Sequence, residues 1–372
     1  MQKKNIISTI KNLILIFGIT FVLLEIVLAI YIRATEIKIE LPTYSFENTQ
    51  GFWFDINPFY GTSHLPNHTY RQKKYCFDVL YQSNSHGFRD QERIINAENK
   101  RVVALGDSFT EGVGVAINDR LTNLLEEDTN IPHLNYGMAG NFGSTQLYML
   151  YKNEASKYTH EAVLIGILPS NDFIDDDYEI NLKVGGDRYQ PFLNGTYPNY
   201  DVVYYADSLH KSKAVPRKQR WIAKILKNFT NTYNMLSYLK ALRKIKVIPK
   251  DKLLDVSKVP SYFNYTDKQF NRMRYAIEQI KILAGNRPVM VYSIPIFKEI
   301  EAYREHGKNP LGKALKAICY NIGVEYLDLL PKTDKLSIEA CESLFLTCDG
   351  HWSEKGNRFA KEEIQSKFEY YR

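Results

Sequence analysis

Residues 102–112 read Val-Val-Ala-Leu-Gly-Asp-Ser-Phe-Thr-Glu-Gly, a short apolar run followed at once by a polar turn between two glycines. The run Val102–Leu105 predicts a strand that is buried on both faces, as strands of parallel sheets are. A helix through Leu121–Glu127 is expected to follow it. Ser108 therefore lies where a strand turns toward a helix, and its hydroxyl is expected to project over the edge of a sheet.

The same alternation of strand and helix continues along the chain. Four more buried strands are expected, at Pro132–Tyr136, Ala162–Leu168, Val289–Ile294 and Val324–Leu329. Helical spacing of apolar residues occurs at Ser144–Tyr158, Met273–Leu283, Leu311–Tyr320 and Ser353–Phe368. This order predicts an α/β fold with a parallel sheet of about five strands, covered by helices on both faces. In such sheets ligands bind beyond the carboxyl ends of the strands.

The composition is that of a globular protein with a buried core. Of 372 residues, 44% are apolar and 24% are charged, which excludes wholesale disorder, a collagen and a polytopic membrane protein. The net charge of +6 is small for this length and gives no indication of nucleic-acid binding. The sequence contains no C-x-x-C motif and no His/Cys spacing typical of zinc sites, so no metal is expected.

An apolar run from Leu13 to Ile32 contains one charged residue, Glu25, and is long enough to span a bilayer. Three lysines precede it: Lys3, Lys4 and Lys11. They favour a cytoplasmic N-terminus. Because the small-residue pattern Val27-Leu28-Ala29 also fits a signal-peptidase site, a cleaved signal peptide is the alternative to the uncleaved anchor that we favour. Both interpretations place residues 33–372 outside the cytoplasm, in the periplasm or at the cell surface.

We divide the chain into a cytoplasmic tip with its anchor (1–32), an extended spacer and N-terminal extension (33–95) and a sheet domain (96–372). The sheet domain carries an insertion at about 175–265, whose first part is expected to be loops. The second part of the insertion contains thirteen Lys/Arg residues and one acidic residue between positions 211 and 252. This part predicts two helices, either packed with a solvated basic face or serving as a lid or membrane-facing patch.

Four cysteines allow three pairings: Cys76, Cys319, Cys341 and Cys348. In an oxidising compartment we expect Cys341–Cys348, because these two residues are close in sequence. Cys76 and Cys319 could then form a second bridge. Without export, four reduced thiols are expected.

Four clusters of polar or glycine residues follow successive predicted strands or precede the last helix. They are the Ser108 turn, the glycine-containing stretch ending at Gly140, the pair Asn171-Asp172, and Asp349-Gly350-His351. A serine needs a base to act as a nucleophile, and a histidine oriented by a carboxylate is that base. Taken singly, each cluster is also typical of a helix cap or a turn. Together they are expected at one end of one sheet.

The order Gly-Asp-Ser, Gly, Asn-Asp, Asp/His resembles the SGNH hydrolases, also called GDSL esterases, over about 101–172 and 324–369. The resemblance implies a three-layer α/β/α flavodoxin-like sandwich that needs no cofactor. It implies that Ser108 is the nucleophile and that His351 and Asp349 complete the triad. It also implies an oxyanion hole built from the N–H groups of Ser108 and Gly140 and the side chain of Asn171.

Two departures from the family pattern bear on the site. Pro169 replaces the usual glycine two places before Asn171, and the carboxylate lies two residues before His351 instead of three, with Cys348 at the usual position. In addition, the stretch 84–90, Asn-Ser-His-Gly-Phe-Arg-Asp, is similar to one that precedes the core in exported bacterial members. We expect this stretch to pack against the first strand of the sheet.

The resemblance implies an exported serine esterase that removes acyl groups, with acetyl as the leading case, from a cell-envelope glycan or lipid. One alternative is an acyltransferase that moves acetyl groups onto envelope polysaccharide. The other is a non-catalytic protein that keeps the fold for glycan binding or assembly, which only the short Asp–His spacing supports. The expected partners are the acylated glycan or lipid and the membrane, without nucleic acid.

Overall fold

The computed structural model describes residues 2–46, 52, 55–185, 188–206, 221–247 and 261–371. Strands β1 to β11 are, in chain order, Asp55–Asn57, Gly61–Ser63, Thr69–Lys73, Asp78–Gln82, Val102–Gly106, His133–Gly137, Ala162–Ile167, Phe192–Thr196, Asn199–Val203, Val289–Ser293 and Glu325–Asp328. Helices α1 to α13 are Gln2–Ala34, Ser108–Glu111, Leu121–Thr129, Ser144–Asn153, Pro169–Asp175, Tyr178–Gly185, Trp221–Phe229, Asn231–Val247, Asp267–Ala284, Phe297–His306, Pro310–Asn321, Ile338–Glu342 and Glu354–Lys367. Short 3₁₀ turns lie at Ile117–Asp119, Ala155–Lys157, Pro331–Lys335 and Glu369–Tyr371.

The centre of the molecule is a five-stranded sheet in the order β11-β10-β7-β5-β6, with every neighbouring pair parallel. Every residue of β5, β6, β7 and β10 is buried, because helices cover the sheet. The helix pairs α3–α13 and α4–α9 pack along the sheet and close one apolar core around it. The predicted α/β fold with a five-stranded parallel sheet is confirmed.

Some elements differ from the sequence expectation. The helix expected over Ser144–Tyr158 ends at Asn153, because Glu154 leaves the helical region and a 3₁₀ turn follows. The first part of the insertion, expected as loops, forms α6 and the antiparallel hairpin β8–β9. Its second part forms α7 and α8 as expected, while residues 207–220 and 248–260 lie outside the described residues.

The N-terminal extension is built onto the sheet domain through two hairpins, β1–β2 and β3–β4. Residues Ile39 and Leu41, within the stretch expected to be an extended spacer, are buried against Ile32 and Met235. The extension therefore packs on its neighbours instead of running free between α1 and the sheet domain.

The stretch 84–90 holds the turn that follows α2. The guanidinium of Arg89 is buried and donates to the main-chain oxygens of Glu111, Gly112 and Val115, at 3.2, 2.5 and 2.7 Å. Its neighbour Asp90 forms a buried ion pair with Arg120 at 2.9 Å. The stretch thus contacts the loop beyond the first strand, and it also reaches β6, where Asp90 accepts the N–H of Asn135 at 3.1 Å and the ring of Phe88 packs on that of Tyr136.

The cysteine pairing expected from sequence is wrong. The disulfide joins Cys76 to Cys348, with their Cα atoms 5.8 Å apart, while Cys319 and Cys341 are free and buried. Helix α12 points Cys341 into the core, where its sulfur accepts a hydrogen bond from Arg304. Cys348 follows that helix in a separate turn and meets Cys76 just beyond β3. Closeness in sequence was a poor guide because the helix and the turn face different neighbours.

Helix α1 includes a stretch, Ile6–Ala34, that is long and apolar enough to cross a membrane, with a mean hydropathy of 2.9 in its most apolar window. None of that window is buried inside the protein. A membrane anchor and a signal sequence share these properties.

We expect alkylation of the denatured, unreduced chain to modify Cys319 and Cys341 only, and peptide mapping to recover Cys76 linked to Cys348. A Cys76→Ser variant should lose about 2–4 kcal/mol in free energy of unfolding, because the bridge closes a very long loop. Cys341→Ala, which removes a free thiol, should cost less. Recovery of a Cys341–Cys348 peptide would contradict the structure.

Candidate active site

The order of the strands brings the residues expected from sequence to one edge of the sheet. Ser108 follows β5, Gly140 lies beyond the end of β6, and Asn171 lies in the first turn of α5 after β7. Because β5 is hydrogen-bonded between β6 and β7, Ser108 follows the strand that lies between the strands preceding the other two residues.

The serine is held on a rigid turn. Asp107 caps α2 by accepting the N–H of Phe109 at 2.9 Å, so that Ser108 begins the helix. Gly137, at the end of β6, lies against this helix. A Cβ atom there would come within 2.1 Å of the main-chain nitrogen of Glu111. The glycine is therefore needed for the close approach of strand and helix, and not only for turn conformation.

The far end of α2 is fixed by a buried contact between a carboxylate and a histidine. Glu111 lies 3.2 Å from Nε2 of His64, and its carboxylate accepts the N–H of Ala139. Burial raises the pKa of Glu111, but His64 and Arg89 more than offset this effect, so its pKa is lowered. A charged Glu111 thereby joins the N-terminal extension, the serine turn and the loop that carries Gly140.

Ser108, His351 and Asp349 form one chain of contacts. Oγ of Ser108 lies 2.8 Å from Nε2 of His351, and Nδ1 of His351 contacts Oδ1 of Asp349. The two-residue spacing works because Gly350 adopts a φ of +87°, which favours glycine. A main-chain hydrogen bond stabilises this turn: the N–H of Leu346 donates to the main-chain oxygen of His351 at 2.7 Å. The short spacing therefore does not separate the carboxylate from the imidazole.

Lys74 is the residue at this site that sequence reasoning missed. Its Nζ contacts Oδ2 of Asp349, so the two oxygens of this carboxylate face a lysine and a histidine. Burial raises the pKa of Asp349, but His351 and Lys74 outweigh it and lower the pKa to about 2. Lys74 follows β3 in the extension, and no motif marks it in the sequence.

Two buried carboxyl groups, those of Asp107 and Asp172, lie close to the serine turn. Burial raises the pKa of Asp107 to about 6, and both burial and the neighbouring Asp107 raise the pKa of Asp172 well above its ordinary value. Asp172 accepts the N–H of Leu168 at 2.9 Å. Each carboxyl group disfavours the charged form of the other. The Gly-Asp-Ser and Asn-Asp clusters thus influence each other below the site.

Gly140 and Asn171 have main-chain conformations that are favourable for their residue types. Gly140 has a φ of +104°, a region that side-chain-bearing residues rarely adopt. Pro169 begins α5, where the missing N–H of proline would be unpaired in any case. The departure from the family pattern at Pro169 therefore leaves Asn171 in the first turn of a regular helix.

A cleft of about 640 Å³ opens beside His351. Its lining includes Phe109, Ile296, Phe297, Tyr75, Glu36 and Lys38. The aromatic and aliphatic side chains suit an apolar group. The two charged residues, Glu36 and Lys38, come from the segment directly after α1. Among the residues that the structure describes, no group of three or more His, Cys, Asp or Glu side chains could hold a metal ion.

No family model and no curated protein matches the chain. Solved structures that it is similar to include a member of the lipolytic protein G-D-S-L family from Veillonella parvula, at 14% identity and a TM-score of 0.36, covering 72% of this chain and 97% of that one. They also include a lipase/acylhydrolase from Enterococcus faecalis, at 12% identity and a TM-score of 0.37, covering 72% and 96%.

A catalytic mutant of an acetylxylan esterase from Geobacillus stearothermophilus matches at 12% identity and a TM-score of 0.37, covering 74% of this chain and 97% of that one. Proteins described as G-D-S-L family members are thus among the matches, as the sequence motifs led us to expect. At these identities and TM-scores the likeness carries no weight for activity.

Proposed function

We propose that this chain is a membrane-anchored serine esterase of the SGNH type that removes acyl groups from a glycan or lipid of the cell envelope. The observation that carries the proposal is the continuous line of contacts from Ser108 through His351 to Asp349. A serine, a base and an orienting carboxylate in this geometry are the machinery of acyl transfer.

In the proposed reaction Oγ of Ser108 attacks the ester carbonyl while Nε2 of His351 takes the hydroxyl proton. Asp349 orients the imidazole and stabilises its charged form. The N–H groups of Ser108 and Gly140 and the side-chain amide of Asn171 would hold the oxyanion. His351 then gives its proton to the leaving alcohol, and the acyl group stays on Ser108. Water, activated by the same histidine, releases the acid and restores the enzyme.

The non-catalytic alternative depended on the short spacing between Asp349 and His351. The contact between these side chains weighs against it, because the carboxylate reaches the imidazole despite the spacing. Transfer of the acyl group to a sugar hydroxyl instead of water uses the same first step. Hydrolysis and acyl transfer therefore differ only in whether water or a sugar hydroxyl accepts the acyl group.

Two features support a location outside the cytoplasm. Helix α1 has the length and composition of a membrane anchor. The Cys76–Cys348 bridge lies beside the site, and disulfides persist in oxidising compartments and are rare in the cytosol.

An aromatic surface next to the Gly140 loop supports a glycan as the carrier of the ester. Tyr189 and Tyr204 stack with ring centroids 5.0 Å apart. Their hydroxyls donate to the main-chain oxygens of Pro58 and Phe59, which joins the stacked rings to the turn between β1 and β2. Arg188 donates to the side chain of Asn141, the residue after Gly140, at 2.5 Å. Stacked tyrosine rings beside the oxyanion side of the site would suit sugar rings.

Incubation of the full chain with a small activated acetyl ester should give an acetyl adduct visible by intact mass, because Ser108 becomes acylated. Ser108→Ala should abolish both the adduct and turnover. Ser156→Ala removes an exposed serine on a 3₁₀ turn and should leave both unchanged. An adduct that survives in Ser108→Ala would contradict the assignment of the nucleophile.

Asn171→Ala should lower kcat by about 10²–10³ with a much smaller change in KM, because an oxyanion donor acts in the transition state. The neighbouring Ser170→Ala serves as the matched control and should stay close to wild type. A loss confined to KM would show that Asn171 binds substrate instead of stabilising the oxyanion.

Lys74→Met should shift the titration of the Asp349 carboxyl, followed by NMR of its side-chain carbon, to higher pH. The low pKa of Asp349 keeps this carboxylate ionised above about pH 2. Without Lys74 the pKa of Asp349 rises toward its ordinary value. The carboxylate is therefore protonated at a higher pH than in the wild type as the pH falls. Lys74→Arg should restore the titration. Lys73→Met removes an adjacent lysine that pairs with Asp78 and should not move it. Equal shifts in Lys73→Met and Lys74→Met would refute the role of Lys74.

A further inference from the structure

The outer end of α1 is packed against the insertion. Glu25 accepts hydrogen bonds from the N–H groups of Asn231 and Thr232, at 2.6 and 3.0 Å, and from the side chain of Asn231 at 3.2 Å. One helical turn further on, Leu28 packs against the cluster that Ile32 forms with Met235 of α8. The start of α8 is therefore held at the level of Glu25, within the apolar stretch of α1.

The opposite face of α1 at this level is apolar and exposed. It consists of Ile26, Val27, Ile30 and Tyr31. Helix α8 covers one side of α1 only, so if α1 crosses a membrane, lipid is what covers this other side. Tyr31 lies six residues beyond Glu25, which corresponds to about 9 Å along a helix. Lipid that reaches Tyr31 also surrounds the junction between α7 and α8.

Helix α7 presents an apolar face to the outside. Trp221 is 74% exposed and Ile222 63% exposed, while Asn228 on the same short helix is buried. Near its end, Phe229 packs against Tyr44 and Phe46, with ring centroids 6.2 and 4.8 Å away. Both of these rings are themselves mostly exposed. An amphipathic helix with outward tryptophan and aromatic neighbours is typical of a membrane interface.

Helix α8 continues this face with Leu236, Leu239 and Leu242, all of them exposed. The insertion is also strongly basic, with thirteen Lys/Arg residues and one acidic residue between positions 211 and 252. An exposed apolar face in a basic segment suits a leaflet that contains anionic phospholipid.

We propose that α7, the first turns of α8 and the aromatic pair Tyr44 and Phe46 seat the domain in the outer leaflet of the membrane that α1 crosses. The occupant of this face is phospholipid. The hydrogen bonds of Glu25 make the seat continuous with the anchor and fix its depth, so the domain does not swing freely on a tether.

The seat also sets where the cleft opens. Glu36 and Lys38, the second and fourth residues after the end of α1, line the cleft beside His351. The ester that enters would therefore be carried by a membrane lipid or by a glycan attached to one. This consequence rests on the proposed function, whereas the seat itself does not.

The test places an environment-sensitive fluorophore on single introduced cysteines in the full chain, reconstituted in vesicles of phosphatidylcholine and phosphatidylglycerol. The native free thiols, Cys319 and Cys341, are buried and should not react in the folded protein. Labels at Ile222→Cys and Leu236→Cys should shift to shorter emission wavelength. Lipids with spin-labelled acyl chains should quench them several-fold more strongly than a control label.

The matched control is Ile94→Cys. Ile94 is 70% exposed, similar to Ile222, but it lies at the amino end of the sheet, where its oxygen accepts from Arg101. A label at Ile16→Cys, within α1, reports whether the helix is inserted. All labelled variants can be made in the Ser108→Ala protein, because the fluorescence readout needs no activity. A negative result would therefore count against the membrane contact and not against the esterase proposal.

Three results would overturn the proposal. One is a label at Ile222 and Leu236 that is as water-exposed and as weakly quenched as that at Ile94. Another is a label at these two positions that is shielded from water but not quenched by lipid, which would indicate a protein partner. The third is a label at Ile16 that is not quenched, which would show that no membrane holds α1.

Discussion

The carboxylate of Asp349 is the point on which the site depends. One of its oxygens contacts His351 and the other contacts Lys74, so a single side chain joins the catalytic turn to the N-terminal extension. The disulfide between Cys76 and Cys348 reinforces the same junction from the adjacent residues. The extension is thus part of the candidate active site, and the proposed base is oriented by contacts that depend on residues far from it in the sequence.

Much of the fold could be predicted because fully buried parallel strands leave a strong signal. Val102–Leu105 and Ala162–Leu168 are continuous apolar runs, and each corresponds to a strand with every residue buried. Polar and glycine residues directly after such runs could be assigned to one edge of the sheet, because parallel strands end together. Ser108, Gly140 and Asn171 were predicted as site residues in this way, and the structure brings Ser108 together with His351 and Asp349.

Lys74 and the disulfide could not be predicted because both depend on tertiary contacts between distant segments. Lys74 and Asp349 are separated by 275 positions, and nothing in the local sequence of either residue indicates the other. The pairing of Cys341 with Cys348 failed because α12 turns the first of them into the core. The two helices of the insertion were expected, but their contact with α1 depends on Glu25, a charged residue that the apolar pattern of α1 does not explain.

The bridge between Cys76 and Cys348 gives the proposed export a sequence of events. A chain that crosses the membrane with its N-terminus held back delivers Cys76 first and Cys348 272 positions later. Lys74 likewise meets Asp349 only after the intervening chain has crossed. If the chain is exported as proposed, the contacts that orient the candidate base therefore form late, and a chain interrupted before Cys348 lacks both the bridge and the proposed triad.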